Sequence, residues 1–347
     1  MEATPGLVVL FGSGETSASG RRVFDWVFAQ SPMAPRVAVL ETPAGFEPNS
    51  DRVAGRVAEF IREHLQPYQP EVVVIPARQR GTPFSPDDPA LLAPLLTASV
   101  IFLGPGSPTY AVRQLRGSLA WQYLLARHRL GAAVVLASAA AVAASRYSLP
   151  VYEIYKVGLD LHWQDGLDFF GAFGLALTFV PHWDNAEGGE ELDTSRCFMG
   201  EARFRRLLGM LPEALVIGID EHTALAFDLA AEVCQVMGRG GVTIIRDGKE
   251  ARFVSGQAFP ITELGSFHAA ATDPGVASAM ALSLATQAVP SVTGPPAEVR
   301  ELVEAREEAR RRRDWALADA LRQRIASLGW QVADTRKGPV LREDRPR

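Results

Sequence analysis

The stretch Val134–Gly158, "VVLASAAAVAASRYSLPVYEIYKVG", decides how the chain is read. It begins as a short, fully apolar run of strand length, turns at Ser138, and continues into alanines that suit a buried helix. A strand that ends in a small hydroxyl residue and hands over to a helix is the unit from which open parallel sheets are built. In such sheets the carboxyl end of the strand is where ligands and nucleophiles sit. Ser138 is therefore either a nucleophile raised on the turn or a small helix-start residue packed in a core.

Working outward, the same alternation recurs. Leu7–Phe11, Arg36–Leu40, Glu71–Pro76, Ser99–Leu103 and Ala133–Ala137 are expected strands. Asn49–His64, with Val53, Val57, Phe60 and Ile61 on one face, is an expected helix between them. Right-handed crossovers would stack these into a doubly wound, mostly parallel α/β sheet. After the buried run "LALTFVPHWDN" (Leu175–Asn185) the pattern changes. Short strands at Leu215–Ile219, Ala224–Phe227, Glu232–Met237, Val242–Ile245 and Ala251–Ser255 are expected to form an antiparallel meander completing the same domain.

Composition is that of a globular protein, 47% apolar over 347 residues. The longest apolar run, Gly131–Ala144, is shorter than the roughly 20 residues of a membrane helix, and the N-terminus lacks signal-peptide features, so no membrane association and a cytoplasmic location are expected. Two cysteines, Cys197 and Cys234, supply neither a disulfide framework nor zinc-ligand spacing, and no metal is expected. The segment 289–297 is rich in Pro, Gly and small polar residues and reads as a linker between a domain at 1–288 and an appendage at 298–347. That appendage reads as two helices broken near Arg313-Asp314, a Gly329 cap and a terminal hairpin turning at Arg336-Lys337-Gly338. Leu302, Ala305, Ala309, Leu317, Leu321, Ile325 and Leu328 form its expected apolar seam. Residues 297–347 carry 13 Lys and Arg against 10 Asp and Glu, a net +3 on a chain whose remainder is −8.

A serine nucleophile needs a base and an orienting acid. Of six histidines, His64, His128 and His268 read as solvated or satisfied surface residues, whereas His182 closes a buried run and so falls on the rim expected for Ser138. Glu153, among apolar neighbours shortly after Ser138, is the candidate acid, although pairing with Lys156 is the alternative. In "LGPGSPTY" (Leu103–Tyr110), Gly106 and Ser107 are candidate oxyanion donors, or Ser107 simply caps the next helix. His222, beside Asp220 and Glu221, is an alternative base. "FGSGETS" (Phe11–Ser17) lacks the third glycine and the placed acid of a dinucleotide fingerprint, so no cofactor is expected.

In order, "LGPGSPTYAVRQL", "ASAAAVA", "LPVYEIYKVG", "FGLALTFVPHW" and "IGIDEHTALAF" resemble the cyanophycinase and aspartyl dipeptidase family of serine peptidases, of the class I glutamine amidotransferase-like fold, over about residues 5–260. The resemblance implies hydrolysis of a peptide or amide bond next to an acidic residue. It assigns Ser138 as nucleophile, His182 as base, Glu153 as acid and Gly106 to the oxyanion turn. It also implies a small acidic peptide or amide substrate, for which Arg196 is the candidate contact; Asp184 and Asn185, which depart from the family pattern after His182, would add an acidic, polar rim. Leu136 and Ala140 stand where the family elbow has glycines. The tail "VEAREEARRRRDWALADALRQRIASLGWQVADTRKGPVLR" is similar to the C-terminal segment of cysteinyl-tRNA synthetases, which implies contact with tRNA or a protein partner through 298–347. An inactive hydrolase scaffold serving as a binding protein is the other class of reading, and oligomerisation through an exposed sheet edge is open.

Overall fold

The computed structural model describes residues 4–31, 33–211, 215–268, 278–288, 297–335 and 338–343. Contacts divide the chain into one unit of Met1–Val27 and Pro35–Ala288 and a second of Phe28–Ala34 and Val289–Arg347. The segment 289–296 and the turn residues Arg336 and Lys337 lie outside the described residues.

In the first unit the elements run β1 (Val8–Phe11), α1 (Ala18–Phe28), β2 (Arg36–Leu40), α2 (Ser50–His64), β3 (Glu71–Ile75), β4 (Val100–Leu103), α3 (Pro108–Leu115), α4 (Leu119–Arg129), β5 (Ala133–Ala137) and α5 (Ala139–Ala143). There follow β6 (Tyr147–Ser148), α6 (Val151–Tyr155), β7 (Gln164–Asp165), β8 (Leu177–Val180), α7 (Glu201–Leu208), β9 (Leu215–Ile219), β10 (Thr223–Asp228), β11 (Val233–Gly238), β12 (Gly241–Arg246), β13 (Lys249–Val254), β14 (Ala258–Pro260) and α8 (Ala279–Ala288). The main sheet has the order β14-β11-β10-β1-β5-β4-β2-β3. Its β1, β5, β4, β2 and β3 are parallel, and β10, β11 and β14 extend it antiparallel. The fold is the doubly wound α/β architecture with an antiparallel extension. The central strands are apolar throughout because helices cover both faces of a parallel sheet.

The single meander expected after Leu215 is divided instead. Strands β9, β12 and β13 join β8 in a second sheet ordered β13-β12-β9-β8, while β10, β11 and β14 go to the first. The chain crosses from one sheet to the other at the turn between β9 and β10. Gly12 permits the crossing: a Cβ there would lie 2.1 Å from the Asp220 carbonyl oxygen.

His128 is not a surface residue. It is fully buried on α4 against Phe169 and Phe173, and its Nε2 donates to the Gly6 carbonyl at 2.8 Å. Burial pushes its pKa down to about 4. Because the unfolded chain, with a pKa of about 6.5, takes up the proton first, stability is expected to fall on acidification between about pH 6.5 and 4, by about 1.4 kcal/mol per pH unit. Melting temperature against pH, compared with His128→Leu, measures this: the variant loses that slope.

The second unit contains α9 (Ala297–Arg311), α10 (Trp315–Ser327), β15 (Trp330–Thr335) and β16 (Gly338–Glu343), the strands forming an antiparallel pair. Asp314 caps α10 by accepting from the Leu317 N–H. Val299, Ala309, Ala318, Ile325 and Val332 are buried. Leu317, expected in the seam, is 48% exposed and Ala318 takes its place. The break at Arg313 (φ 62) and Asp314 resets the helical phase between the two helices, which a count continued through the break cannot register. Arg306, buried, grips Asp334 with two hydrogen bonds of 2.9 Å, and with Arg310 it holds the Asp334 carboxyl down to a pKa of about 2.

Candidate active site

Strand β5 lies between β1 and β4, with Leu136 opposite both Leu10 and Leu103. Directly after it the chain turns sharply. Ser138 sits at φ 50, ψ −112, and its N–H continues the ladder by donating to the Phe11 carbonyl at 3.2 Å. Non-glycine residues seldom adopt positive φ, and such strain, about 1–3 kcal/mol, concentrates where a side chain must be presented. The elbow therefore forms although Leu136 and Ala140 replace its usual glycines: both side chains are buried.

The Ser138 Oγ lies 2.9 Å from His182 Nε2. His182 follows β8 and Pro181, also at positive φ (52). Its carbonyl accepts from Cys197 N–H at 3.1 Å, within a left-handed turn in which Arg196, Cys197 and Phe198 have φ of 57, 57 and 67. On the other side of the ring, Nδ1 lies 2.9 Å from Glu221 Oε1, on the β9–β10 turn. A carboxylate only accepts, so Nδ1 carries the hydrogen and Nε2 is left to accept from Ser138. The hydrogen bond from His182, helped by that from Asn185, draws the Glu221 pKa below the ordinary carboxylate range.

Glu153 does not occupy the acid's position. It lies on the short helix α6, whose Val151 and Ile154 anchor in a separate apolar cluster, and its buried Oε2 has no hydrogen-bond partner among the described residues. The place beside His182 is filled by Glu221, which comes from a strand adjacent to that of His182: β8 and β9 are parallel neighbours. The signal was present in "IGIDEHTAL", where a fully buried strand ends in two carboxylates on the same rim. Asn185 is buried and Asp184 exposed, and both bond to Glu221. Asp184 Oδ1 accepts the Glu221 N–H at 2.7 Å, and Asn185 Nδ2 donates to Glu221 Oε1 at 2.9 Å, so both help to hold Glu221 in place.

Ser107 is spent as well. Its N–H donates to the Pro43 carbonyl at 3.0 Å and its Oγ accepts from Tyr110 N–H at 3.1 Å, capping α3. Gly106 has φ 146, and a Cβ there would fall 2.0 Å from the Pro43 oxygen, so only glycine fits. The N–H groups of Gly106 and of Ala139, next to the serine, donate to no acceptor among the described residues. Arg196 stacks its guanidinium 4.1 Å over Trp183 and donates Nη1 to the Trp183 carbonyl. Both cysteines are buried thiols, and burial pushes that of Cys197 up to about 12. Among the described residues no group of three His, Cys, Asp or Glu is placed to hold a metal ion, and no helix is long and apolar enough to cross a membrane.

The chain is similar in fold to a solved peptidase from an acI-B1 Actinobacterium, with a TM-score of 0.58 over 75% of this chain and 98% of that one, at 19% identity. The C-terminal residues 293–340 match the family model of the cysteinyl-tRNA ligase anticodon binding domain. They are 52% identical over 48 residues to the cysteine–tRNA ligase of Methanosarcina mazei, and 54% identical over 46 residues to that of Rubrobacter xylanophilus. The chain spans about a tenth of the length of these curated relatives, 10% in each case.

Proposed function

We propose that the first unit is a serine hydrolase of peptide or amide bonds working through Ser138, His182 and Glu221. The observation that carries this reading is the unbroken hydrogen-bonded chain Ser138 Oγ, His182, Glu221, with both links at 2.9 Å, formed where the carboxyl end of β5 in the main sheet meets those of β8 and β9 in the second. In the reaction, Ser138 Oγ adds to the carbonyl carbon as its proton passes to His182 Nε2. Glu221 stabilises the imidazolium, and the N–H groups of Ala139 and Gly106 receive the oxyanion. Collapse expels the amine, which takes the proton from His182 and leaves an acyl-serine. Water, deprotonated by the same imidazole, then releases the acid and restores the serine. The free N–H groups of Arg196, adjacent to the His182 turn, are the candidates to meet an acidic side chain next to the cleaved bond. Labelling with a fluorophosphonate, located by mass spectrometry, tests the reading: adduct at Ser138 supports it, and a folded protein that stays unlabelled overturns it.

A second activity is proposed for the tail. Trp315 is 60% exposed at the start of α10, just after the exposed arginines Arg311, Arg312 and Arg313, an arrangement suited to stacking a base beside paired phosphates. Together with the anticodon-binding match, it favours tRNA contact through 298–347. Ending the chain near Pro295 is expected to abolish salt-sensitive RNA binding, read by electrophoretic shift at two ionic strengths; a truncated chain that still binds equally well defeats the idea.

A further inference from the structure

We propose that Asp220 is a positioning residue of the hydrolase site: held by Arg252, its buried carboxylate fixes the turn on which Glu221 meets His182. This rests on the hydrolase reading above. The place to begin is where the chain leaves the second sheet, since Asp220 is the first residue past β9 and Glu221 the next.

In the ladder between β9 and β12, Ile219 lies opposite Val242, and Asp220 comes next, facing Gly241. Only half of that last pair is made by backbone. The Asp220 N–H donates to the Gly241 carbonyl at 3.1 Å, but the Gly241 N–H donates to Asp220 Oδ2, at 2.8 Å. The side chain takes the place of its own carbonyl, which faces Gly12 of the main sheet instead. Arg252 then clamps the same oxygen: Nη2 donates to Asp220 Oδ2 at 2.5 Å, while Nη1 donates to Thr243 Oγ1 at 3.0 Å. Gly240 leaves room for the carboxylate, because a Cβ there would lie 2.6 Å from Oδ2.

Glu221 is therefore fixed from two sides. Toward the His182 strand, the Trp183 N–H donates to the Ile219 carbonyl at 3.1 Å, and Asp184 takes the Glu221 N–H. Toward β12 and β13, the anchor is Asp220. A displacement of about 1 Å in a reacting constellation can cost about 10²-fold in rate, so an anchor one residue from the acid bears on catalysis. A ladder bond alone needs only a neutral acceptor. Asp220 is instead a carboxylate with its side chain 2% exposed, and its buried Oδ1 has no partner among the described residues. The charge is offset at Oδ2 alone, by Arg252, and a buried charge stripped of its partner is strongly unfavourable. Without Arg252 the carboxylate must move toward water, and the turn carrying Glu221 moves with it. Arg252 itself is 48% exposed on β13, the edge strand of the second sheet, so the acid is held in place from the surface.

The test uses the full chain as wild type, Asp220→Asn, Arg252→Met, Arg252→Lys and the double variant Asp220→Asn/Arg252→Met. Two quantities are read: the second-order rate of fluorophosphonate labelling at Ser138, and the low-field proton resonance of His182 Nδ1–H in its bond to Glu221. Asp220→Asn and Arg252→Met are each expected to label at least about tenfold more slowly and to shift or lose that resonance, with circular dichroism unchanged. Arg252→Lys, which keeps the charge, is expected to stay within about threefold of wild type, and the double variant to be no slower than the singles, because the pair acts as a unit. Arg252 is half exposed, so its variants decide the matter even where Asp220→Asn fails to fold. Folded variants that label at the wild-type rate, or label slowly with the resonance unmoved, overturn the role of Asp220; Arg252→Lys as slow as Arg252→Met overturns the part played by the charge. Failure of wild type to label overturns the hydrolase reading itself.

Discussion

Ser138→Ala is expected to lose fluorophosphonate labelling completely and to lower kcat by about 10⁶-fold, since removing the nucleophile leaves only what oxyanion donors and binding supply. The expected fold is intact, because the Ser138 side chain contributes no cap to α5 and its structural bonds, N–H to Phe11 O and Val142 N–H to its carbonyl, are made by the backbone. Alanine inherits the unfavourable φ of 50 without adding bulk. Far-ultraviolet circular dichroism and melting temperature close to wild type, together with lost labelling, would separate chemistry from folding. A variant that still labels at another residue would remove Ser138 from the mechanism.

The second large effect separates the two carboxylates. Glu221→Gln is expected to lower kcat/KM by about 10⁴-fold, because an amide no longer stabilises the imidazolium and no longer fixes the tautomer that leaves Nε2 free to accept from Ser138. Glu153→Gln is expected to change it by less than about twofold, since Glu153 makes no bond to His182. Steady-state kinetics on any hydrolysed probe decides between them. Equal losses in the two variants, or a loss confined to Glu153→Gln, would contradict the arrangement seen here. Asn185 gives an intermediate check within the same experiment: its Nδ2 holds Glu221 from outside, so Asn185→Ala acts through the acid's position.

Glu221 and the residues that hold it come from two chain segments that meet in the second sheet. His182 ends β8, Glu221 ends β9, and these neighbouring parallel strands place the two side chains side by side. Asp184 and Asn185, on the His182 side, reach across to the Glu221 backbone and carboxylate. Glu221 is therefore held by the continuation of the His182 strand.

Much of this was legible along the chain. The doubly wound core follows from local pattern: fully apolar strands of four or five residues, one-faced helices between them, and a handedness rule that leaves few topologies. Ser138 and His182 were legible as polar residues just past the ends of buried strands; that the strand of His182 lies in the second sheet, its end meeting that of β5, was not. What local pattern cannot carry is the pairing of strands distant in sequence. The division of the strands after Leu215 between two sheets depends on long-range packing, and it is this that brings Glu221, not the sequentially closer Glu153, to His182 Nδ1. Likewise, whether Asp184, Asn185 and Ser107 face a substrate or are consumed by neighbouring N–H groups, and whether Leu317 or Ala318 faces the seam, depends on partners and helix phase. Periodicity assigns a residue to a strand, a helix or a rim, while the free energy that selects its particular partner arises only when the elements close against one another and buried polar groups must be satisfied.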